Sequence, residues 1–247
     1  HPIDNNNIDI FINYVQNRDI NAYFGEQDRN PPQRAAKLGP QTSMTTLSMA
    51  ETQPKRARAA QKQPEERRKQ LLRAGVACFA AKGIGGTKHA DLARACQVSV
   101  PAVFSYFPNR DALVNSILED VGNALLENVI APAQRLPLAE QLRATAPLFV
   151  EFSEREPDYV KVWLMWSMHF APGIQAHYQE FERQLINALA GMFVDAPSGE
   201  ADDDTHDRAR MIVASSAFLA KMVFDGVSEQ RREDFVDHVL KPLTLTT

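Results

Sequence analysis

The sequence predicts an all-α protein, and three observations carry that expectation. From residue 64 onward, apolar residues recur at helical spacing almost without interruption. Proline and glycine punctuate the pattern at intervals that leave helix-length segments between them. No alternating apolar–polar run is long enough to compete as a strand, and no repeat of 20–50 residues is present.

Each element follows from local signals. Pro64 suits the first position of a helix, where Glu65 and Glu66 complement the positive end of its dipole. Leu72, Val76 and Phe79 then fall on one buried face, and Gly83 stops this helix. A second short helix is expected over 87–96, with Thr87 as its cap and Asp91 in its first turns. Ala93 lies where it must approach a third short helix over 99–107, and Val98 fills the space between them. The Pro108-Asn109 pair breaks the chain, and Asn109 caps a long helix running toward Ile130. Five further helices are expected near 138–155, 158–170, 173–195, 204–226 and 229–241. Pro147 lies inside the first of these and should kink or divide it. By their apolar spacing, Phe104 and Phe107 are expected in the core, and the two cysteines, Cys78 and Cys96, are expected to be buried.

Residues 1–43 differ from the rest. They hold 7 of the 12 asparagines and end in a Pro/Gln/Gly-rich run, whereas Met44 is a plausible start for a 204-residue chain. They are expected to be a flexible leader or an added segment outside the fold. Residues 44–63 are poor in large apolar side chains and rich in Lys and Arg, and are expected to form a basic arm.

Composition excludes several classes. No window of 18 apolar residues exists, so no membrane span is expected, and no signal peptide is indicated. Two cysteines supply neither a disulfide framework nor a cysteine zinc site, which points to a reducing, cytoplasmic setting. There is no Gly-rich phosphate loop and no nucleophile elbow. His177 and Glu180 lie one helical turn apart, but a metal site in a helical bundle needs a second such pair, and none appears. No catalysis, metal or cofactor is therefore expected. A non-catalytic helical carrier of apolar ligands is the rival class.

The net charge of −4 conceals an asymmetry. Residues 55–110 carry 12 basic and 3 acidic side chains, a net of +9, whereas 111–247 carry 11 and 22, a net of −11. A basic block about the size of a small domain implies a polyanionic partner for that part alone. The same block holds three short helices, the last two joined by a tight turn. In a helix-turn-helix, the second helix of such a pair enters the major groove of DNA.

The detailed sequence of this block is more specific. Phe79-x3-Gly83, Thr87, Asp91-Leu92-Ala93, Val98-Ser99 and Phe104-x-Tyr106-Phe107, followed by Arg110, resembles the N-terminal signature of TetR-family transcriptional regulators. Within that family, Gly83-Ile84-Gly85, His89-Ala90-Asp91, Gln97-Val98-Ser99-Val100 and Val103 to Pro108 resemble the quorum-sensing master regulators of vibrios, the LuxR/HapR/SmcR group. Gln97 supports the narrower match, because most TetR proteins have Gly at that turn. The likeness is strong over about 64–118 and recurs at Lys161-Val162-Trp163 and Trp166-Ser167. Three positions depart from that group: Ser105 replaces an Asn, Pro101 an Ala, and Thr87-Lys88 a pair of Gly. A serine cannot make the bidentate adenine contact of an asparagine, so the exact operator does not carry over from that group.

Site residues are expected as follows. Ser99, Pro101, Ala102 and Ser105 would face base edges. Thr87, Tyr106 and Arg110 suit phosphate contacts, a role the resemblance also implies. Lys55, Arg56 and Arg58 form an arm of the type that enters a narrow minor groove, and the LuxR group carries a similar Arg-x-Arg element. His89 is shared with that group, but a lone His is more often a packing residue. The resemblance implies that residues 64–110 form the DNA-binding domain and 111–247 a ligand-sensing and dimerisation domain. Trp163 has a cavity-lining counterpart in the LuxR group. An apolar pocket is expected from Leu125, Val129, Trp163, Trp166, Leu185, Leu189 and Phe218, for a small apolar ligand that the sequence does not name. The helices near 204–226 and 229–241 would pair with their copies in a homodimer, as symmetric dimers match palindromic operators on double-stranded DNA. A local repressor released by an apolar inducer is the alternative to a quorum-sensing-type regulator.

Overall fold

The computed structural model describes residues 64–193 and 202–244. The expected leader over 1–43 and the arm over 44–63, with Lys55, Arg56 and Arg58, lie outside these residues. Among the described residues every regular element is helical, as the sequence predicts.

Helix α1 (Pro64–Gly86) is interrupted at Gly83, whose φ of 77° belongs to the left-handed region that glycine adopts without cost. Helix α2 (His89–Cys96) begins two residues later than expected. Its cap is Lys88 and not Thr87: the Asp91 carboxylate accepts from the Lys88 backbone N–H at 2.8 Å, closing the first turn. Gln97 ends α2 at a φ of 55°, and the Val98 N–H returns to the Ala93 carbonyl. Helix α3 (Val100–Phe104) is a short helix capped by Ser99, whose Oγ accepts from the Ala102 N–H at 3.3 Å. Helix α4 (Arg110–Leu125) is capped by Asn109 as expected, with Oδ1 accepting from the Ala112 N–H at 2.8 Å. It continues through a π-helical turn, Leu126–Ile130, into α5 (Ala131–Gln134).

Helices α6 (Leu138–Arg155), α7 (Pro157–Ser167), α8 (Pro172–Ala190), α9 (Asp203–Phe224) and α10 (Glu229–Thr244) complete the body. Pro147 does not divide α6. It sits on the exposed face, where water can satisfy the carbonyl that loses its helical partner. Phe107 is fully buried, but Phe104 is 44% exposed and so is not a core residue. Cys96 is buried and Cys78 only half-buried; its thiol is pushed up chiefly by desolvation.

One continuous apolar core runs from Leu71 in α1 to Leu243 in α10. Helix α1 packs along α7 and α4. At Gly75 there is no side chain, and Ile117 of α4 occupies that space; at Gly122, Phe181 of α8 does the same. Polar ties close the same seam. Tyr159 donates to Asp120 at 2.8 Å, Arg68 to the Ser116 hydroxyl at 3.4 Å, and Arg73 pairs with Glu156. Burial pushes the Asp120 carboxyl above the usual range, against the opposing effect of the Tyr159 hydroxyl.

Candidate nucleic-acid interface and cavity

The α2–turn–α3 unit presents an exposed edge made of Gln97, Ser99, Val100, Pro101, Phe104 and Ser105, with Ala102 half-buried beside them. Its hydroxyls are already engaged locally. Ser99 caps α3, and Ser105 donates to the Ala102 carbonyl at 2.7 Å. Phe104 lies flat on the His89 imidazole, centroids 4.0 Å apart and planes 4° from parallel. His89 is 8% exposed, and its Nε2 meets the Phe107 carbonyl at 2.8 Å, so that nitrogen carries the proton.

Two expected phosphate ligands take other roles. Thr87 is fully buried and its hydroxyl donates to the Gly83 carbonyl at 3.2 Å, so it does not offer that group to a phosphate. The Arg110 guanidinium donates to the Ile84 and Gly85 carbonyls, both at 2.9 Å, and to the Thr87 carbonyl. It braces the Gly83–Thr87 corner against α4. Tyr106 remains half-exposed, with its ring tilted against Phe107. The Asp91 carboxyl is held below the usual aspartate range by the Lys82 ammonium, 2.6 Å away, and by the Lys88 backbone N–H. Sequence reasoning missed the Arg110 brace, for which no local pattern exists.

The body contains an apolar cavity of about 70 Å³ between α4, α6, α7, α8, α9 and α10. Leu125, Val129, Trp163, Leu185 and Leu189 all line it, together with residues the sequence did not single out, including Phe149, Leu219 and Phe235. Trp166 and Phe218 do not. Trp166 is buried on another side, stacked on Phe181 at 5.3 Å and donating to the Ile174 carbonyl at 3.2 Å. Phe218 is 51% exposed on α9, resting against Phe235. Trp163 packs edge-on against Phe149 at 5.7 Å. Its indole N–H, though directed toward the Tyr178 hydroxyl, closes no hydrogen bond of normal geometry. No group of three His, Cys, Asp or Glu able to hold a metal occurs among the described residues, and none of their helices is long and apolar enough to cross a membrane.

A short helix-turn-helix leading into a helical body with an apolar cavity defines a helix-turn-helix regulator of two parts. The sequence model of bacterial regulatory proteins of the tetR family matches residues 71–117, which covers α2, α3 and most of α1. The HTH-type transcriptional regulator LuxR of Vibrio harveyi is 34% identical over 148 residues, 58% of this chain and 71% of that protein. The chain belongs to the tetR family and is a DNA-binding transcriptional regulator. Solved structures share the fold at lower identity. A TetR-like transcriptional regulator from Rhodococcus sp. RHA1 superposes with a TM-score of 0.59 at 21% identity, over 73% of this chain and 97% of that one. AibR, solved with isovaleryl coenzyme A and operator DNA, gives 0.57 at 18% identity, over 72% and 98%.

Proposed function

We propose that this chain is a quorum-sensing-type global regulator, acting as a homodimer on a palindromic operator and tuned by a small apolar ligand. The observation that carries the regulator type is the 34% identity to LuxR over 148 residues, more than the helix-turn-helix alone could supply. Ser99, Pro101, Ala102 and Ser105 line the edge offered to bases, and Tyr106 is left as a phosphate ligand at the end of that edge. Lys55, Arg56 and Arg58 add minor-groove contacts from the arm. Arg110 acts on DNA through the corner it braces.

The cavity supports the ligand part. Five of its wall residues were expected from sequence alone, and the walls are apolar apart from Thr145, Ser215 and Ser216. At about 70 Å³ it is smaller than the several hundred Å³ that enclose a drug-sized ligand. A ligand must therefore widen it, and binding then favours whichever arrangement of α4, α8 and α9 is already more open. Because α4 carries Arg110 at its start, such a shift reaches the helix-turn-helix directly.

The decisive experiment selects bound duplexes from a random library and tests them by electrophoretic mobility with the full chain. A palindromic consensus bound with a steep salt dependence is the expected result; binding without sequence preference would overturn the reading. For the cavity, Leu189→Trp is expected to leave thermal unfolding intact while altering DNA affinity or the response to apolar compounds. If the variant unfolds, and no apolar compound quenches tryptophan fluorescence of the unaltered chain, the ligand part falls.

A further inference from the structure

The recognition edge is unusually short of hydrogen-bonding capacity. Apart from Gln97 at the turn, Ser99 and Ser105 each spend part of their capacity on the Ala102 backbone, and Val100, Pro101 and Phe104 have none. Yet the edge leaves Val100 38% and Phe104 44% exposed, one helical turn apart. Only one base presents an apolar group in the major groove: the thymine C5-methyl.

Phe104 is also supported by a neighbouring ring. One face of its ring lies on the His89 imidazole at 4.0 Å, leaving the other toward solvent. The imidazole in turn is tied to the Phe107 carbonyl beyond the end of α3. An aromatic surface fixed before contact loses little side-chain entropy on binding.

We propose that this regulator reads its operator through thymine methyl groups contacted by Phe104 and Val100, with His89 as the positioning residue that holds the Phe104 ring. The proposal rests on the DNA-binding reading and adds the chemistry of base selection. His89 touches no base. Its role is exerted through the ring it supports.

Replacing single thymines by deoxyuridine in the selected operator deletes one methyl each and leaves pairing and phosphate charge unchanged. At one or two thymines per half-site, the full chain is expected to lose about fourfold in affinity, the effect of leaving one methyl unburied. Phe104→Ala, at an exposed position, should fold normally, bind more weakly, and show no further loss at one of those thymines. His89→Ala should blunt the same deoxyuridine effect, and His89→Phe, which keeps the stack without the hydrogen bond, should restore it. If no deoxyuridine changes affinity by more than twofold, or if Phe104→Ala keeps the full pattern, the proposal is overturned while operator binding stands. If the library yields no preferred duplex, the DNA-binding reading fails and the proposal falls with it.

Discussion

Gln97 is the one non-glycine residue with positive φ among the described residues, and it forms the turn between α2 and α3. That conformation strains any side chain and strains a β-branched one most. Gln97→Val should lower stability by about 1–2 kcal/mol in urea unfolding, whereas Gln97→Gly should not lower it. Asp91 closes the first turn of α2 and binds Lys82 across to α1, which holds its carboxyl below the ordinary value of 3.8. A lowered folded-state value means that this contribution is complete above that ordinary value and is lost as pH falls through the lowered one. Thermal unfolding followed from pH 6 to pH 2 should show the loss in the unaltered chain, and Asp91→Asn should remove that component. An unchanged acid profile in the variant would deny Asp91 the role.

Between elements, the decisive contacts are close approaches rather than large side chains. A Cβ built on Gly75 would meet Ile117 Cγ1 at 2.8 Å, within a fully buried seam between α1 and α4. Gly75→Ala gains about 1 kcal/mol in helix propensity but overpacks that seam, at a cost of about 1–3 kcal/mol. A net destabilisation with lowered operator affinity is expected, because the seam joins the helix-turn-helix to the body. Stabilisation in calorimetry would show that Ile117 yields without cost. The Arg110 brace belongs to the same scale, since it ties the start of α4 to the Ile84, Gly85 and Thr87 carbonyls that follow Gly83.

The molecule as a whole leaves an apolar stripe uncovered. Met211 is 55% and Phe218 51% exposed, two turns apart on α9, with Ala214 between them. In a homodimer with two-fold symmetry the same stripe from both copies would be buried. Phe218→Glu would place an unpaired charge in that interface, which costs several kcal/mol. Light scattering at micromolar concentration should report a dimer for the unaltered chain and a monomer for the variant, with helical content unchanged. A variant that remains dimeric would place the interface elsewhere.

Local signals were sufficient for most of the helices and for the start of two of them: Pro64 and Asn109 act within one turn of themselves, so neighbouring residues state the outcome. The cavity walls from α4 and α8 were legible too, because apolar spacing marks the inward face of a helix, whereas Trp163 was expected there from the family resemblance. What a side chain does across the fold was not. Thr87 satisfies both a cap and a phosphate ligand by type, and only the folded chain buries it, with its hydroxyl donating to the Gly83 carbonyl. Phe104 reads as core by spacing, but Val103 and Phe107 take the inward positions of that segment, and a histidine from α2 supports Phe104 at the surface instead. Trp166 and Trp163 share one helix and one motif. They face different spaces because three residues on a helix turn a side chain by about 300°, and only the neighbouring helices decide which direction is hollow.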